Sequence, residues 1–208
     1  FNQRANLKIQ DVCDFMCSFC VIPFARGRAR SRDWCNLFDE VDEMIKKGVR
    51  EIVLTGVNLG TYNSDGKDFL SLIDVLNNID GLDRIRISSI EPTTIPHQLL
   101  ERMADNQHAL TPYLHVPLQS GCDRILGLMK RKYQLSEMEE FFSQATKMVP
   151  DICIGTDLMT GFPGESEEDF QETCDTFQSF PFSYCHVFTY SERDGTIASK
   201  SEFQIPMQ

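Results

Sequence analysis

Six short runs rich in β-branched and aliphatic residues alternate with stretches whose apolar residues recur at helical spacing, and this alternation constrains the fold more than any other feature. The runs are Leu7–Val12, Glu51–Thr55, Arg84–Ser88, Tyr113–Leu118, Ile152–Leu158 and Tyr184–Thr189. Leu37, Val41, Met44 and Ile45 predict a helix over 36–47, closed by Gly48 at its C-cap; Phe69, Leu72, Ile73 and Leu76 predict the next. A helix is expected from Pro96 to Met103, proline suiting a first turn, then helical residues near 123–129 and a stronger helix over 135–148. Ser166–Phe180 opens with a capping box, Ser166 with Asp169. Strands joined by crossover helices pair in parallel, and a complete eight-fold barrel usually needs about 250 residues. With 208 residues the expectation is an α/β fold, a partial (β/α)6 TIM-like barrel.

In such folds the working face is the C-terminal ends of the strands. Here those ends carry a cysteine loop, then T-G-V-N-L-G, S-S-I-E-P, Q-S-G, T-D-L-M-T-G-F-P-G-E and Y-S-E-R. The cysteine loop reads D-V-C-D-F-M-C-S-F-C and places Cys13, Cys17 and Cys20 within eight residues. Thiolates are soft ligands suited to iron–sulfur clusters, zinc or copper(I). A structural zinc site or an all-cysteine cluster takes four protein ligands, so three leave one position open for something that is not protein. Zinc stays open as an alternative, with Cys35 as the fourth ligand of a non-catalytic barrel. Eight cysteines could also form disulfides, but no signal peptide or membrane-spanning run is legible and a chain of this length can build its own core.

The spacing C-x3-C-x2-C, with an aromatic residue before the last cysteine, resembles the motif of the radical SAM enzymes. That resemblance implies three irons of a 4Fe-4S cluster held by Cys13, Cys17 and Cys20, with S-adenosylmethionine (SAM) chelating the fourth and cleaved to a 5'-deoxyadenosyl radical. It also implies SAM contacts from the strand-end loops: Thr55 and Gly56 toward the amino-acid moiety, Glu91, Gln119 and Ser120 as polar contacts, Thr156, Asp157 and Phe162 toward the adenosine, and Phe19 beside the cluster. V-I-P-F-A-R-G-R-A-R-S-R, H-V-P-L-Q-S-G, K-R-K-Y and G-F-P-G-E narrow the resemblance to the methylthiotransferases, over about Leu7 to Thr196. T-G-V-N-L-G-T-Y and R-I-R-I-S-S-I-E-P look most similar to the branch that places a methylthio group on C2 of N6-threonylcarbamoyladenosine beside the anticodon of tRNA. Sibling branches act on isopentenyladenosine in tRNA and on an aspartate of a ribosomal protein. The family implies a cytoplasmic enzyme served by a flavodoxin or ferredoxin. It has an auxiliary-cluster domain before this region and an RNA-binding TRAM domain after it, so residues 1–200 read as the core and 201–208 as the start of a linker. The chain begins at Phe1 and reads as an excised domain, expected to bind a cluster and cleave SAM without completing methylthiolation. Val12 stands where relatives often have glycine.

Net charge is −11, which argues against a generic grip on phosphate. The imbalance is uneven: residues 1–50 carry nine Lys and Arg against seven Asp and Glu. Arg26, Arg28, Arg30 and Arg32 fall beside the cysteine loop and form the expected guide for tRNA, planar guanidinium forks suiting phosphate. Lys130, Arg131 and Lys132 form a second knot, of the kind that is most often a solvated face. His97 and His108 fall in a helical region, His115 and His186 in strands, all expected to be structural. Cys153, Cys174 and Cys185 read as core residues. Oligomeric state is not legible.

Overall fold

The computed structural model describes residues 3–205. Six parallel strands form its frame: β1 Arg4–Lys8, β2 Glu51–Thr55, β3 Arg84–Ile87, β4 Tyr113–His115, β5 Cys153–Thr160 and β6 Tyr184–Thr189. Ladders join β1 to β2, β2 to β3, β4 to β5 and β5 to β6, all parallel. Between β3 and β4 the ladder shrinks to a bridge at Ile85 and Leu110, where Ile85 donates to the Ala109 carbonyl (2.8 Å) and Thr111 to that of Ile85 (2.9 Å). Spatial order therefore follows chain order, each strand reached from the last by a crossover connection. Among the described residues β1 and β6 do not pair with each other, and the barrel stays open.

Helices cover one face: α1 Trp34–Lys46, α2 Phe69–Asn77, α3 Leu99–Ala104, α4 Asp123–Leu128, α5 Leu135–Met148 and α6 Glu167–Ser179. Side chains alternate along each strand, so Leu7, Ile52, Leu54, Ile85, Ile87, Leu114 and Ile154 point to that layer and are fully buried. They meet Leu37, Val41, Leu72, Ile73 and Phe142 of the helices in one core. Each such aliphatic chain contributes about 1.5–3 kcal/mol.

The other face of the sheet is polar. At its floor Glu51, buried, accepts from Arg84 (3.0 Å) and Arg86 (3.1 Å) and pairs with Arg4 (2.8 Å), so one carboxylate ties three adjacent strands. Burial alone would raise the pKa of Glu51, but the arginine hydrogen bonds outweigh it and hold the group below its ordinary value. Higher up, Tyr113, His115, Tyr184 and His186 share this face, with Tyr184 lying over Gly155. A Cβ at Gly155 would stand 2.0 Å from the Tyr184 ring, so only glycine lets that ring lie down.

Several boundaries differ from the sequence expectation. The first strand begins three residues earlier, because Arg4 pairs with Glu51, and it ends at Lys8 rather than Val12. Gln10–Asp11 turn aside to form an antiparallel pair with Arg30–Ser31. Helix α1 starts at Trp34 rather than at 36, because the Asp33 side chain accepts from Asn36 N (2.9 Å) and caps it. Pro96 opens a turn, with Leu99 N donating to its carbonyl, and α3 begins only at Leu99. His97 and His108 consequently flank α3 instead of lying in it. The capping box at Ser166 and Asp169 is formed. Of the expected linker, residues 201–205 lie against the domain, the Phe203 carbonyl accepting from Gly164 N (2.9 Å); 206–208 lie outside the described residues.

Candidate cofactor site

The cysteine loop leaves the end of the first strand through Val12, whose φ is +66°. Gln10 ties the loop to its neighbour: its amide nitrogen donates to the Val12 carbonyl (2.5 Å), and its amide oxygen accepts from Val57 N and Asn58 N (2.9 Å each). Gly56 belongs to this junction, since a Cβ there would meet Gln10 O at 3.0 Å and Leu59 Cδ2 at 2.8 Å. On the far side Ser18 donates through its hydroxyl to Leu128 O (2.7 Å) and through its amide to Met129 O (3.0 Å), pinning the loop to the end of α4.

Two of the three sulfurs have donors aimed at them. Cys13 Sγ lies 3.6 Å from Asn58 Nδ2 and 3.4 Å from Phe15 N; Cys17 Sγ lies 3.6 Å from Arg131 Nη1. Arg131 is only 6% exposed. Its Nη2 donates to Glu91 Oε2 (2.8 Å) and Pro117 O (3.2 Å), and its Nε to the Tyr133 hydroxyl (3.1 Å), which itself donates to Leu118 O (2.6 Å). Arg131 is thus not part of a solvated knot, because four acceptors hold it in the interior. Burial pushes the Cys17 thiol up, Arg131 opposes that, and Glu91 adds to it. Burial also pushes the Glu91 carboxyl up, against the pull of Arg131.

The donor set can be tested against the groups the motif implies. Thiolates on one zinc, each about 2.3 Å from it, stand roughly 3.8 Å apart. Among the described residues two sets of donors close within 4.8 Å, His115–Asp157–His186 and Cys122–Asp169–Glu172; the thiols of the loop are spread wider than that. A cubane cluster takes its cysteines at separate corners and does not require them that close together. Cys35 sits exposed in the first turn of α1 and belongs to neither set. Glu91 Oε1 is buried with no partner, an acceptor left over beside the sulfurs, and Arg131 Nη1 has a second N–H. An orphaned carboxylate oxygen and a spare guanidinium donor beside three thiols would match the ammonium and carboxylate of an amino acid. The residues present therefore fit a 4Fe-4S cluster that Cys13, Cys17 and Cys20 would hold, with Glu91 and Arg131 placed to receive SAM.

The other expected contacts divide into two groups. Thr55 ends β2 opposite Lys8 on the polar face, and Asp157 lies on that face between His115 Nε2 (3.1 Å) and His186 Nδ1 (3.3 Å). Burial would raise the pKa of Asp157, but the hydrogen bond from His115 helps to bring it below the ordinary value. Gln119, with φ +68°, is stitched to β5 from both sides, donating to Asp157 O and accepting from Met159 N (2.8 Å each). Thr156 and Ser120, in contrast, are fully buried and their hydroxyls are spent within the chain. Thr156 donates to Val116 O (2.9 Å) and accepts from Leu118 N, while Ser120 meets Thr173 Oγ1 (3.1 Å). Through these bonds they hold the loops. Phe162 is buried too and packs edge-on against Phe19 (6.4 Å) and Tyr190 (5.6 Å), a small second core beneath the loop.

The four arginines do not form a free basic patch. Asp11 takes Arg26 (2.9 Å) and Arg30, Glu40 takes Arg32, and Arg28, 91% exposed, lies 3.7 Å from Asp14. Asn58, Gln10 and Arg131 carry the loop's contacts and escape sequence reasoning. Asn58 and Arg131 lie inside quoted motifs, but nothing in T-G-V-N or K-R-K-Y says that either reaches a sulfur.

Known proteins bear on the same region. A threonylcarbamoyladenosine tRNA methylthiotransferase of Bacillus subtilis is 40% identical over 97% of this chain and 45% of its own length. One from Aquifex aeolicus is 42% identical over 98% of the chain and 50% of itself. A tRNA-2-methylthio-N(6)-dimethylallyladenosine synthase of Acetivibrio thermocellus is 38% identical over 93% and 41%. The chain thus spans about half the length of the curated relatives it matches. The solved structure of the radical SAM methyltransferase TsrM from Kitasatospora setae shares the fold, with a TM-score of 0.77 at 17% identity over 94% of this chain and 38% of that one. The model of the radical SAM superfamily matches residues 7–177, and to that superfamily this chain belongs.

Proposed function

We propose that this chain is the radical SAM core of a methylthiotransferase that acts on C2 of N6-threonylcarbamoyladenosine beside the anticodon of tRNA. The reading is carried by a loop that offers three thiols and no fourth, set beside an orphaned Glu91 oxygen and a spare Arg131 donor. When bound, a 4Fe-4S cluster and SAM supply one-electron cleavage of the sulfonium, the means of taking hydrogen from an unreactive carbon that side-chain acids and bases leave untouched at pH 7.

The protein's own part is to hold and to shield. Cys13, Cys17 and Cys20 hold the cluster; Glu91 and Arg131 orient the amino-acid end of SAM. Gln119, in the loop after β4, and Asp157, within β5, face its nucleoside end, and Thr55 marks the rim at β2. Phe19 and Phe162 keep water from beneath the loop. The substrate branch rests on 40% and 42% identity to the two threonylcarbamoyladenosine enzymes. The dimethylallyladenosine branch is the second reading, because relatives named for it reach 38% and 40%. An electron donor of flavodoxin or ferredoxin type and a cytoplasmic setting belong to the same proposal. None of the described helices is long and apolar enough to cross a membrane.

The test is anaerobic reconstitution of the chain. The expected product is a brown protein with about four irons that turns SAM into 5'-deoxyadenosine in the presence of dithionite, and loses both properties in Cys17→Ser. Colourless metal uptake matched by zinc would overturn the cofactor reading. Nucleoside mass spectrometry of tRNA from cells lacking the gene then separates the two branches by which methylthioadenosine disappears.

A further inference from the structure

Arg131 lies 114 residues from Cys17 in sequence, yet its Nη1 comes within 3.6 Å of that sulfur. The contact is not a chance of a mobile side chain. Arg131 is 6% exposed, its other nitrogens are committed to Glu91, Pro117 and Tyr133, and its guanidinium lies 5.1 Å from the Tyr133 ring centre. Glu91 is nearly as enclosed, at 12% exposure, so an opposite charge sits against the same guanidinium that reaches the sulfur. Away from bulk water both charges act on their neighbours with far less screening than at a surface.

We propose that Arg131 is a positioning residue that sets the reduction potential of the cluster held by Cys13, Cys17 and Cys20, with Glu91 limiting how much of its charge the cluster feels. The inference rests on the cluster reading above and goes beyond it. Hydrogen bonds to ligand sulfurs and nearby charge are among the levers by which a protein tunes such a centre. A donor on Cys17 withdraws electron density from the iron–sulfur bond and stabilises the more negative, reduced state. Asn58, reaching Cys13 at 3.6 Å, supplies a neutral donor of the same kind. A buried arginine needs a counter-charge whatever its task; what packing alone does not ask for is the Nη1 donor placed on the Cys17 sulfur.

The experiment is a redox titration of the reconstituted chain without SAM, followed by electron paramagnetic resonance, with iron and sulfide counted in every sample. In Arg131→Gln the potential is expected to fall by at least the equivalent of a tenfold drop in the reduced-to-oxidised ratio, about 59 mV for one electron. In Glu91→Gln, which keeps an acceptor and removes the opposing charge, it is expected to rise. Arg131→Lys, which keeps the charge and loses the planar fork, falls between wild type and Arg131→Gln. Loaded variants whose potentials do not move, or a Glu91→Gln potential that falls along with that of Arg131→Gln, overturn the inference. If Arg131→Gln takes up no cluster, the sign in Glu91→Gln decides alone, a rise supporting and anything else overturning. A wild-type chain that binds no iron overturns the cofactor reading itself, whereas a loaded chain insensitive to both variants overturns only the tuning role.

Discussion

Val12 enters the cysteine loop in the left-handed region, at φ +66°, a conformation that a β-branched residue adopts only under compulsion. The strain costs on the order of 1–3 kcal/mol. It persists because the side chain is fully buried and because Gln10 grips the Val12 carbonyl. Glycine would relieve the torsion and forfeit about 1.5–3 kcal/mol of burial. The two effects nearly cancel, so Val12→Gly is expected to change stability by less than ~1 kcal/mol by urea denaturation, where Leu7→Ala, equally buried but unstrained, is expected to cost ~2–5 kcal/mol. A Val12→Gly loss as large as that of Leu7→Ala would show that the torsion stores nothing. The glycine expected at this position from the family was thus a legible hint of φ, but the sequence could not say that valine adopts the same torsion.

At the scale of elements, α6 starts on a box that also docks it to α4. Asp169 accepts from Ser166 N (2.7 Å), Ser166 Oγ from Asp169 N (3.2 Å), and Arg124 of α4 donates through Nε to Asp169 Oδ1 (2.9 Å) and through Nη2 to Gly164 O (2.7 Å). The Arg124 hydrogen bond, helped by Ser166 and Cys122, holds the Asp169 carboxyl well below the ordinary value of 3.8. A depressed folded-state pKa contributes stability that is fully present above the unfolded value and is lost as pH falls below it. Asp169→Asn is therefore expected to cost ~1–2 kcal/mol at pH 7 and to flatten the decline in melting temperature below about pH 4, read by calorimetry. An unchanged acid limb would assign the acid sensitivity to other carboxylates. Burial pushes the nearby Cys122 thiol up to about 11, which keeps it a neutral donor to Asp169 across this range. The capping box was readable from four consecutive residues, because a cap is a local event. Arg124 was not, because it comes from a different helix.

At the scale of the whole molecule, charge and topology decide what the mouth can meet. Asp11 engages Arg26 and Arg30, and Glu40 engages Arg32, which leaves Arg28, 91% exposed, as the arginine of the run most open to an RNA phosphate. In the full-length enzyme, Arg28→Glu is expected to lower the slope of log affinity for tRNA against log salt by about one, and Arg32→Glu by clearly less. Equal effects would mean that the ion pairs open on binding. Four arginines in seven residues were visible in the sequence, whereas their partners depend on the Gln10–Asp11 and Arg30–Ser31 pairing that folds the run back over Asp11.

The order of the barrel and the count of thiols were determined by the sequence alone. A period of two against a period near 3.6 marks strands and helices residue by residue, and three cysteines in eight positions share one loop whatever the rest does. Which side chains surround that loop was decided only by the tertiary structure. Crossover helices bring Glu91, Asn58 and Arg131 to the sulfurs from loops separated by tens of residues, and the same packing turns Thr156, Ser120 and Phe162 inward. Local periodicity encodes the direction a side chain leaves its own strand; it carries no information on what a distant loop places opposite.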